Sequence, residues 1–135
     1  MRALDTNVLA RFFVDDPDDP EAAGQRPAAI AALSERSFVP VTVLLEFEWV
    51  LRGFYGLARR EIGAVMRALA GLEHVTIEDR DAVLAALDLL DAGIGFADAL
   101  HVTRSARAAA FATFDRRLAR HGKRAALTPS IELLG

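Results

Sequence analysis

Cysteine is absent from this sequence of 135 residues, and lysine occurs only at position 123. The absence of cysteine excludes disulfide bonds, a thiol nucleophile and thiolate metal sites. No apolar run approaches the roughly 20 residues that a membrane-spanning helix needs. Residues 1–16 also lack the apolar core that a secretory signal contains. We therefore expect a soluble, cytoplasmic protein.

Length and charge narrow the class further. A chain of 135 residues fits a single domain, and we expect one domain over residues 1–135. The net charge of −3 argues mildly against a protein that coats nucleic acid along its whole surface. A local basic rim remains compatible with that charge, because the choice of partner depends on where the charges lie.

Short apolar runs alternate with longer helical patterns along the chain. The pattern predicts strands at 2–4, 38–41, 74–77 and 110–114, with a last edge strand at 125–127. It predicts helices at 6–14, 20–35, 42–53, 58–70, 79–90, 96–108 and 116–120. Thr42 is a plausible N-cap of its helix, and Gly122 is the predicted end of the last one. This alternation favours an α/β fold in which helices cover both faces of a parallel sheet.

Asp5 and Asp115 each follow a short apolar strand directly and precede a helix directly. In an open α/β sheet, ligands gather outside the carboxyl ends of the strands. Two carboxylates delivered to that edge by neighbouring strands would face one pocket. The alternative is that each aspartate is only a helix N-cap, a position that aspartate fills well.

Glu46 belongs to a helix with an apolar stripe at helical spacing, made up of Val43, Phe47, Val50 and Leu51. Glu46 is predicted to share this apolar face, whereas Glu48 is predicted to lie on the opposite side with Arg52. A buried carboxylate needs a partner, and either a metal ion or an arginine would serve. The alternative is a glutamate at the margin of the stripe that reaches solvent.

Asp98 is the fourth acid, and it lies in the first turn of the helix that begins at Phe96. An acid in that turn is favoured by the helix dipole, so Asp98 taken alone has a structural explanation. Four acids in four separate elements, without matching histidine or cysteine, suit hard cations such as Mg²⁺. A divalent ion lowers the pKa of a bound water, which can then attack a phosphodiester. Metal-dependent hydrolysis of a phosphodiester is therefore the chemistry that the four acids favour.

Five segments together resemble a known family. They are DTNVLARFF at 5–13, the acidic-proline turn at 15–20, VTVLLEFEWVLRG at 41–53, FADAL at 96–100 and FATFDRRLARHG at 111–122. In this order they resemble the PIN-domain ribonuclease toxins of the VapC type. The resemblance implies a PIN-like (Rossmann-like) α/β/α sandwich with a short parallel sheet. It also implies an endoribonuclease that depends on Mg²⁺ or Mn²⁺ and acts on structured RNA such as tRNA. A small cognate antitoxin that blocks the site, and a homodimer, are the partners it implies.

The acids carry over to the catalytic positions of this family. Asp5 and Asp98 would bind the metal directly, and Asp115 would do so directly or through water. Glu46 would orient a water molecule or bind the metal. Gly95 stands where many relatives have an additional acid, which favours one metal ion rather than two.

Three further residues match the supporting positions of the family. Thr6 and Asn7 belong to the opening motif, in which Asn7 would brace the site. Thr113, two residues before Asp115, stands where the family usually has a hydroxyl that supports the site. A threonine and an asparagine at the start of a helix need no function, and that alternative stays open.

Arginines surround the last acid in the sequence. The cluster consists of Arg104, Arg107, Arg116, Arg117 and Arg120. Phosphate contacts position a nucleic acid without reading its sequence, so these side chains are candidates for contacts with RNA. The main candidates are Arg104, Arg107, Arg116 and Arg117. The alternative is a solvated helix face.

Two other functions compete with an RNA-cleaving toxin. One is a PIN-fold nuclease for DNA or for particular nucleic-acid structures. The other is a catalytically weak module that binds RNA or an antitoxin, for which Gly95 is the only support. A haloacid-dehalogenase-type phosphotransferase is rejected, because that chemistry needs a second acid two residues after the first, where this chain has Asn7.

Overall fold

The computed structural model describes all 135 residues, with seven α-helices and five short β-strands. The chain folds into two compact units, residues 1–80 and residues 81–135. None of the helices combines the length and the apolar character that crossing a bilayer requires.

The first unit contains three parallel strands and four helices. The strands are β1 (Arg2–Ala3), β2 (Ser37–Val39) and β3 (Val75–Ile77). The helices are α1 (Thr6–Phe13), α2 (Pro20–Leu33), α3 (Val41–Trp49), which continues as a π-helical segment (Val50–Phe54), and α4 (Arg59–Ala70). The sheet order is β1-β2-β3, and both pairings are parallel. All three strands therefore have their carboxyl ends at the same edge of this sheet.

The core of the first unit holds the sheet and helices together. Leu9 of α1, Phe47 of α3 and Leu69 of α4 are completely buried. Burying an aliphatic or aromatic side chain of this size contributes roughly 1.5–3 kcal/mol. Helix α1 packs against both α2 and α3, and the rings of Phe13 and Phe47 lie 6.0 Å apart. This packing fixes α1 relative to α3.

The buried face of α3 differs from the predicted one. The buried residues of α3 and its continuation are Val41, Leu44, Phe47, Glu48 and Leu51. Glu48 is only 6% exposed, whereas Glu46 is exposed, so the prediction that Glu46 shares the buried face is wrong. This helix has so few polar residues that two different apolar stripes fit its sequence. The sequence pattern alone could not separate them.

Glu48 has the partner that its burial requires. Its carboxylate accepts hydrogen bonds from Nε of Arg52 at 2.9 Å and from Nη2 at 3.4 Å. The hydrogen bond and the negative charge of Glu48 raise the pKa of Arg52. Glu48 and Arg52 therefore lie on the same side of the helix, as predicted, but that side faces the core.

The start of α3 also differs from the prediction. The helix begins at Val41 with Pro40 as its N-cap residue, so Thr42 is not the cap. The N–H of Val41 donates to Oε1 of Glu78 at 2.8 Å. A carboxylate that follows β3 thus satisfies a backbone donor that no side chain of α3 satisfies.

The second unit contains three helices and a two-stranded parallel sheet. The elements are α5 (Arg80–Asp91), α6 (Phe96–Thr103), β4 (Ala110–Thr113), α7 (Arg116–Ala125) and β5 (Ser130–Leu133). Ala110 pairs with Ser130, and Thr113 pairs with Leu133. Helix α6 ends earlier than predicted, because hydrogen-bonded turns replace the helix after Thr103.

The C-terminal elements lie elsewhere than the sequence predicted. Gly122 does not end α7 but lies inside it, and the helix reaches Ala125. The last strand begins at Ser130 rather than at residue 125. Gly122 is buried, and a Cβ atom there would overlap Cγ1 of Ile131 and lie 3.1 Å from its Cβ. The glycine is thus explained by the close approach of β5 to α7 rather than by a helix end.

Alanine substitutions at two helical glycines test this packing. Gly122→Ala should lower the free energy of unfolding by about 1–3 kcal/mol, because the new methyl group overlaps Ile131. Gly24→Ala is the matched control: a Cβ there would meet no atom within 4 Å. It should raise the free energy of unfolding by about 0.5–1 kcal/mol, since alanine favours a helix more than glycine does. Denaturant unfolding measures both, and stabilisation by Gly122→Ala would contradict the packing.

Candidate functional site

Asp5 lies between the carboxyl end of β1 and the start of α1. The N–H of the preceding residue, Leu4, donates to the carbonyl oxygen of Phe38 at 2.9 Å, which keeps this end of β1 beside β2. The Oδ1 atom of Asp5 caps α1 by accepting the N–H of Thr6 at 2.8 Å. The residue is exposed, and its Oδ2 atom accepts no hydrogen bond. One carboxylate oxygen thus fixes the side chain while the other is accessible to a ligand.

Thr6 connects Asp5 to Glu46. Its side chain is buried, with 3% exposure, and its hydroxyl donates a hydrogen bond to Oε1 of Glu46. Since the backbone N–H of the same residue binds Asp5, one threonine holds two carboxylates. Hydrogen bonds to an ionised acceptor are stronger than those between neutral groups. The structure therefore brings Asp5 and Glu46 to the same side of the first unit, at the start of α1.

Asn7 lies at a cavity. It is exposed and, with Val8 and Arg11, lines a cavity of about 290 Å³ between α1 and α2. Arg11 is held there by Gln25, whose Oε1 accepts from its Nε at 2.9 Å. The side-chain amide of Asn7 makes no hydrogen bond to an acid, so its bracing role stays a prediction.

Asp115 is a helix cap in the second unit. Its Oδ1 atom accepts the N–H groups of Arg117 at 2.9 Å and Leu118 at 3.0 Å, at the start of α7. The hydroxyl of Thr113 accepts the N–H of Asp115 at 3.0 Å, and this contact fixes the backbone just before the helix. As in Asp5, the Oδ2 atom accepts no hydrogen bond. The N-cap interpretation is thus confirmed for both aspartates, and in both it leaves one oxygen available.

Asp98 is exposed in the first turn of α6, and its carboxylate makes no hydrogen bond or ion pair. Gly95 is the N-cap residue of the same helix, with φ −57° and ψ 145°. These angles are accessible to any residue, and a Cβ at Gly95 would meet no atom within 4 Å. The backbone therefore does not require glycine at position 95, where many VapC-type toxins have an acid.

The four acids are divided equally between the two units. No group of three or more His, Asp or Glu side chains is arranged to hold an ion. Asp5 and Glu46 belong to the first unit, where Thr6 joins them, and Asp98 and Asp115 belong to the second. The donor chemistry nevertheless fits a hard divalent cation, because all four side chains are carboxylates.

The candidate arginines are exposed, but they occupy different environments. Arg104 caps the carboxyl end of α6, and Arg107 lies in the turn before β4. Arg116 and Arg117 form the first turn of α7. The predicted set therefore divides into two side chains before β4 and two on a helix that begins at Asp115.

A double-mutant cycle tests the link between Thr6 and Glu46. Thr6→Val removes the hydroxyl but keeps the shape, and Glu46→Ala removes the acceptor. We expect the two changes to be coupled by about 1 kcal/mol or more in the free energy of unfolding, because the hydrogen bond has a charged acceptor. Thr6→Val combined with Glu35→Ala, an exposed acid that pairs with Arg2, is the control and should be additive. Additivity in both cycles would contradict the contact.

Comparison with protein families gives a match to the PIN domain over residues 2–124. Comparison with curated proteins and with solved structures gives no match. The matched range includes all four candidate acids and extends over most of both units. This chain belongs to the PIN domain family.

Proposed function

We propose that this protein is a metal-dependent endoribonuclease and the toxin of a type II toxin–antitoxin pair. PIN domains are generally nucleases, and PIN nucleases generally use divalent metals. The observation that carries the proposal is the contact of Thr6 with both Asp5 and Glu46, since it holds two carboxylates beside each other at the start of α1. Two acids held in this way, with a free oxygen on Asp5, favour the binding of a cation. The cation would in turn bind a phosphate of the substrate.

Asp5, Asp98 and Asp115 are the proposed ligands of Mg²⁺ or Mn²⁺, with Glu46 beside them. Asp5 and Asp115 are held as caps, so their carboxylates lose little further freedom when they bind an ion. The ion would supply positive charge that stabilises the phosphate and lowers the pKa of a water ligand. Asp98, which has no partner in its own unit, is supported as a ligand by the family resemblance of the sequence.

Glu46 is proposed to orient the attacking water and to accept its proton. Thr6 occupies Oε1 of Glu46, which leaves Oε2 to accept a hydrogen bond. A carboxylate with a fixed orientation and one exposed oxygen has the geometry that a general base needs. Negative charge at Asp5 and Glu46 also disfavours phosphate when no cation is present. Activity should therefore depend on the cation, both to hold the phosphate against these two acids and for the chemistry.

The biological setting rests on the resemblance of the sequence to VapC-type toxins. It adds a small cognate antitoxin, a homodimer, a cytoplasmic location and a structured RNA target such as tRNA to the proposal. Inhibition would follow if the antitoxin covered the exposed acids.

A second candidate is a catalytically weak module that binds RNA or an antitoxin. The specific observation in its favour is that no three acids are arranged to hold an ion. Gly95, which removes one further acid, points in the same direction. Titration of the protein with Mg²⁺ or Mn²⁺ separates the two candidates, because only the nuclease requires a cation at these acids.

Asp5→Asn tests the nuclease proposal directly. Asparagine caps a helix as well as aspartate does, so the variant should keep its fold and its free energy of unfolding. We expect its cleavage of RNA with Mg²⁺ or Mn²⁺ to fall on the order of 100-fold or more, because a charged ligand has become neutral. A gel assay with matched RNA and DNA oligonucleotides measures the cleavage and identifies the substrate.

Asp18→Asn is the matched control, since Asp18 is an exposed acid in the acidic-proline turn, outside the proposed site. This variant should cleave RNA at the rate of the parent protein. Cleavage by Asp5→Asn at the parental rate would contradict the assignment, as would cleavage in the presence of a chelator. Preferential cleavage of the DNA would replace the endoribonuclease by a DNA nuclease of the same fold.

A further inference from the structure

Helix α7 is strongly cationic. It carries five basic side chains within ten residues, and all five are exposed: Arg116, Arg117, Arg120, Lys123 and Arg124. None of these side chains forms an ion pair or a hydrogen bond with another residue. The whole chain has a net charge of −3, so this concentration of unpaired positive charge is local. An unpaired cationic surface of this kind attracts an anionic partner.

Three of the five side chains line a single groove. Arg116, Arg120 and Lys123 recur at helical spacing i, i+4 and i+7 and border a groove of about 410 Å³. Its floor is formed by Ala119 of α7 and by Ile131 and Leu133 of β5. We call this feature the α7–β5 groove. Arg117 and Arg124 lie on the same helix but do not line it.

No acid lines the α7–β5 groove. Glu132 belongs to β5, but successive side chains of a strand point to opposite faces, so it lies on the other face from Ile131 and Leu133. An anion in the groove would therefore meet three cations without a competing carboxylate. The apolar floor suits a ligand that is charged along one side only.

The spacing of the cations suits a chain of phosphates. Seven residues separate Arg116 from Lys123, which corresponds to about 10 Å along a helix. Each strand of a DNA duplex has one phosphate per about 3.4 Å of helix axis. An unpaired strand is more extended, so a length of about 10 Å is enough for at least two successive phosphates. Proteins that bind single strands combine a cationic track for the backbone with aromatic side chains on which the bases stack. The α7–β5 groove supplies the cationic track, and its aliphatic floor offers the bases apolar contact rather than stacking.

The groove is also continuous with a proposed catalytic residue. Arg116, at one end of the groove, directly follows Asp115 in the sequence, and Asp115 is the cap of α7. A strand whose phosphate lies at Asp115 would need only to follow the helix to meet Arg120 and Lys123. An acidic protein segment would also be attracted by the charge, but neither the regular spacing nor this continuity would be explained by it.

We propose that the α7–β5 groove binds the backbone of single-stranded RNA through Arg116, Arg120 and Lys123. The proposal deepens the proposed endoribonuclease function and rests on it for the identity of the nucleic acid. It adds Lys123 to the arginines predicted to contact RNA, and it excludes Arg117 from the groove. The groove would position the substrate strand after it leaves Asp115.

Equilibrium binding without divalent cation tests the groove independently of cleavage. Fluorescence anisotropy of a labelled, unstructured RNA oligonucleotide, measured in chelator over a range of salt concentrations, gives the affinity and its salt dependence. Each lost phosphate contact on a single strand should make the slope of log affinity against log salt less steep by about 0.7. Arg120→Gln and Lys123→Gln should each show this change, and the double variant about twice as much.

Arg124→Gln is the matched control, because it removes the same charge from the same helix outside the groove. It should leave the slope within error of the parent slope. Leu133→Glu provides a variant without loss of a cation: Leu133 is 43% exposed, so the fold should tolerate the change, and the new carboxylate on the groove floor should weaken RNA binding several-fold.

Two results would overturn the proposal. Equal slope changes in Arg120→Gln and Arg124→Gln would show that net charge rather than the groove determines binding. Displacement of the RNA by polyglutamate at lower charge concentration than by unlabelled RNA would assign the groove to an acidic protein segment. If the parent protein cleaves RNA but the groove variants leave the salt slope unchanged, only the groove proposal is contradicted. If binding depends on the groove but no cleavage occurs, only the nuclease proposal is contradicted.

Discussion

The hydrogen bond from Thr6 to Glu46 is the contact on which the candidate site of the first unit depends. The two residues lie 40 positions apart in the sequence, and the sheet explains how they meet. Strands β1 and β2 are parallel neighbours, and each is followed closely by a helix, α1 or α3. Both helices therefore begin at the carboxyl edge of the sheet, where ligands of open α/β sheets gather. Helix packing then places a buried threonine of one helix against a glutamate of the other.

Helix capping and chemistry are compatible in this protein because a carboxylate has two oxygens. In both Asp5 and Asp115 one oxygen satisfies backbone N–H groups at a helix start, while the other accepts no hydrogen bond. The cap restricts the side chain before any ligand arrives, so part of the entropic cost of ordering it is already met in the fold. An aspartate at a strand–helix junction can therefore serve stability and a divalent cation together. For the same reason, asparagine should preserve the fold while it removes the charge.

Features that depend on adjacent residues were predicted correctly more often than features that depend on contacts between distant residues. The strand–aspartate–helix order at Asp5 and Asp115 involves adjacent residues, and both aspartates occupy the N-cap position that the alternative interpretation gave them. Parallel strands and the PIN family assignment are confirmed as well. The prediction of the buried side of α3 was wrong, because two apolar stripes fit the same sequence. Glu48 rather than Glu46 is buried. The predicted end of α7 was wrong, because Gly122 allows the close approach of Ile131. No local pattern in the sequence reveals this contact. The α7–β5 groove depends on that same approach.

The central claim is that Asp5 and Glu46 act on one divalent cation. Titration with Mn²⁺, followed through paramagnetic broadening of backbone amide NMR signals, tests it most directly. If both carboxylates bind the same ion, the signals of residues 5–7 and 45–47 broaden together at the lowest Mn²⁺ concentrations. Broadening confined to the acidic turn at residues 15–19, or broadening at residues 5–7 without residues 45–47, would contradict it.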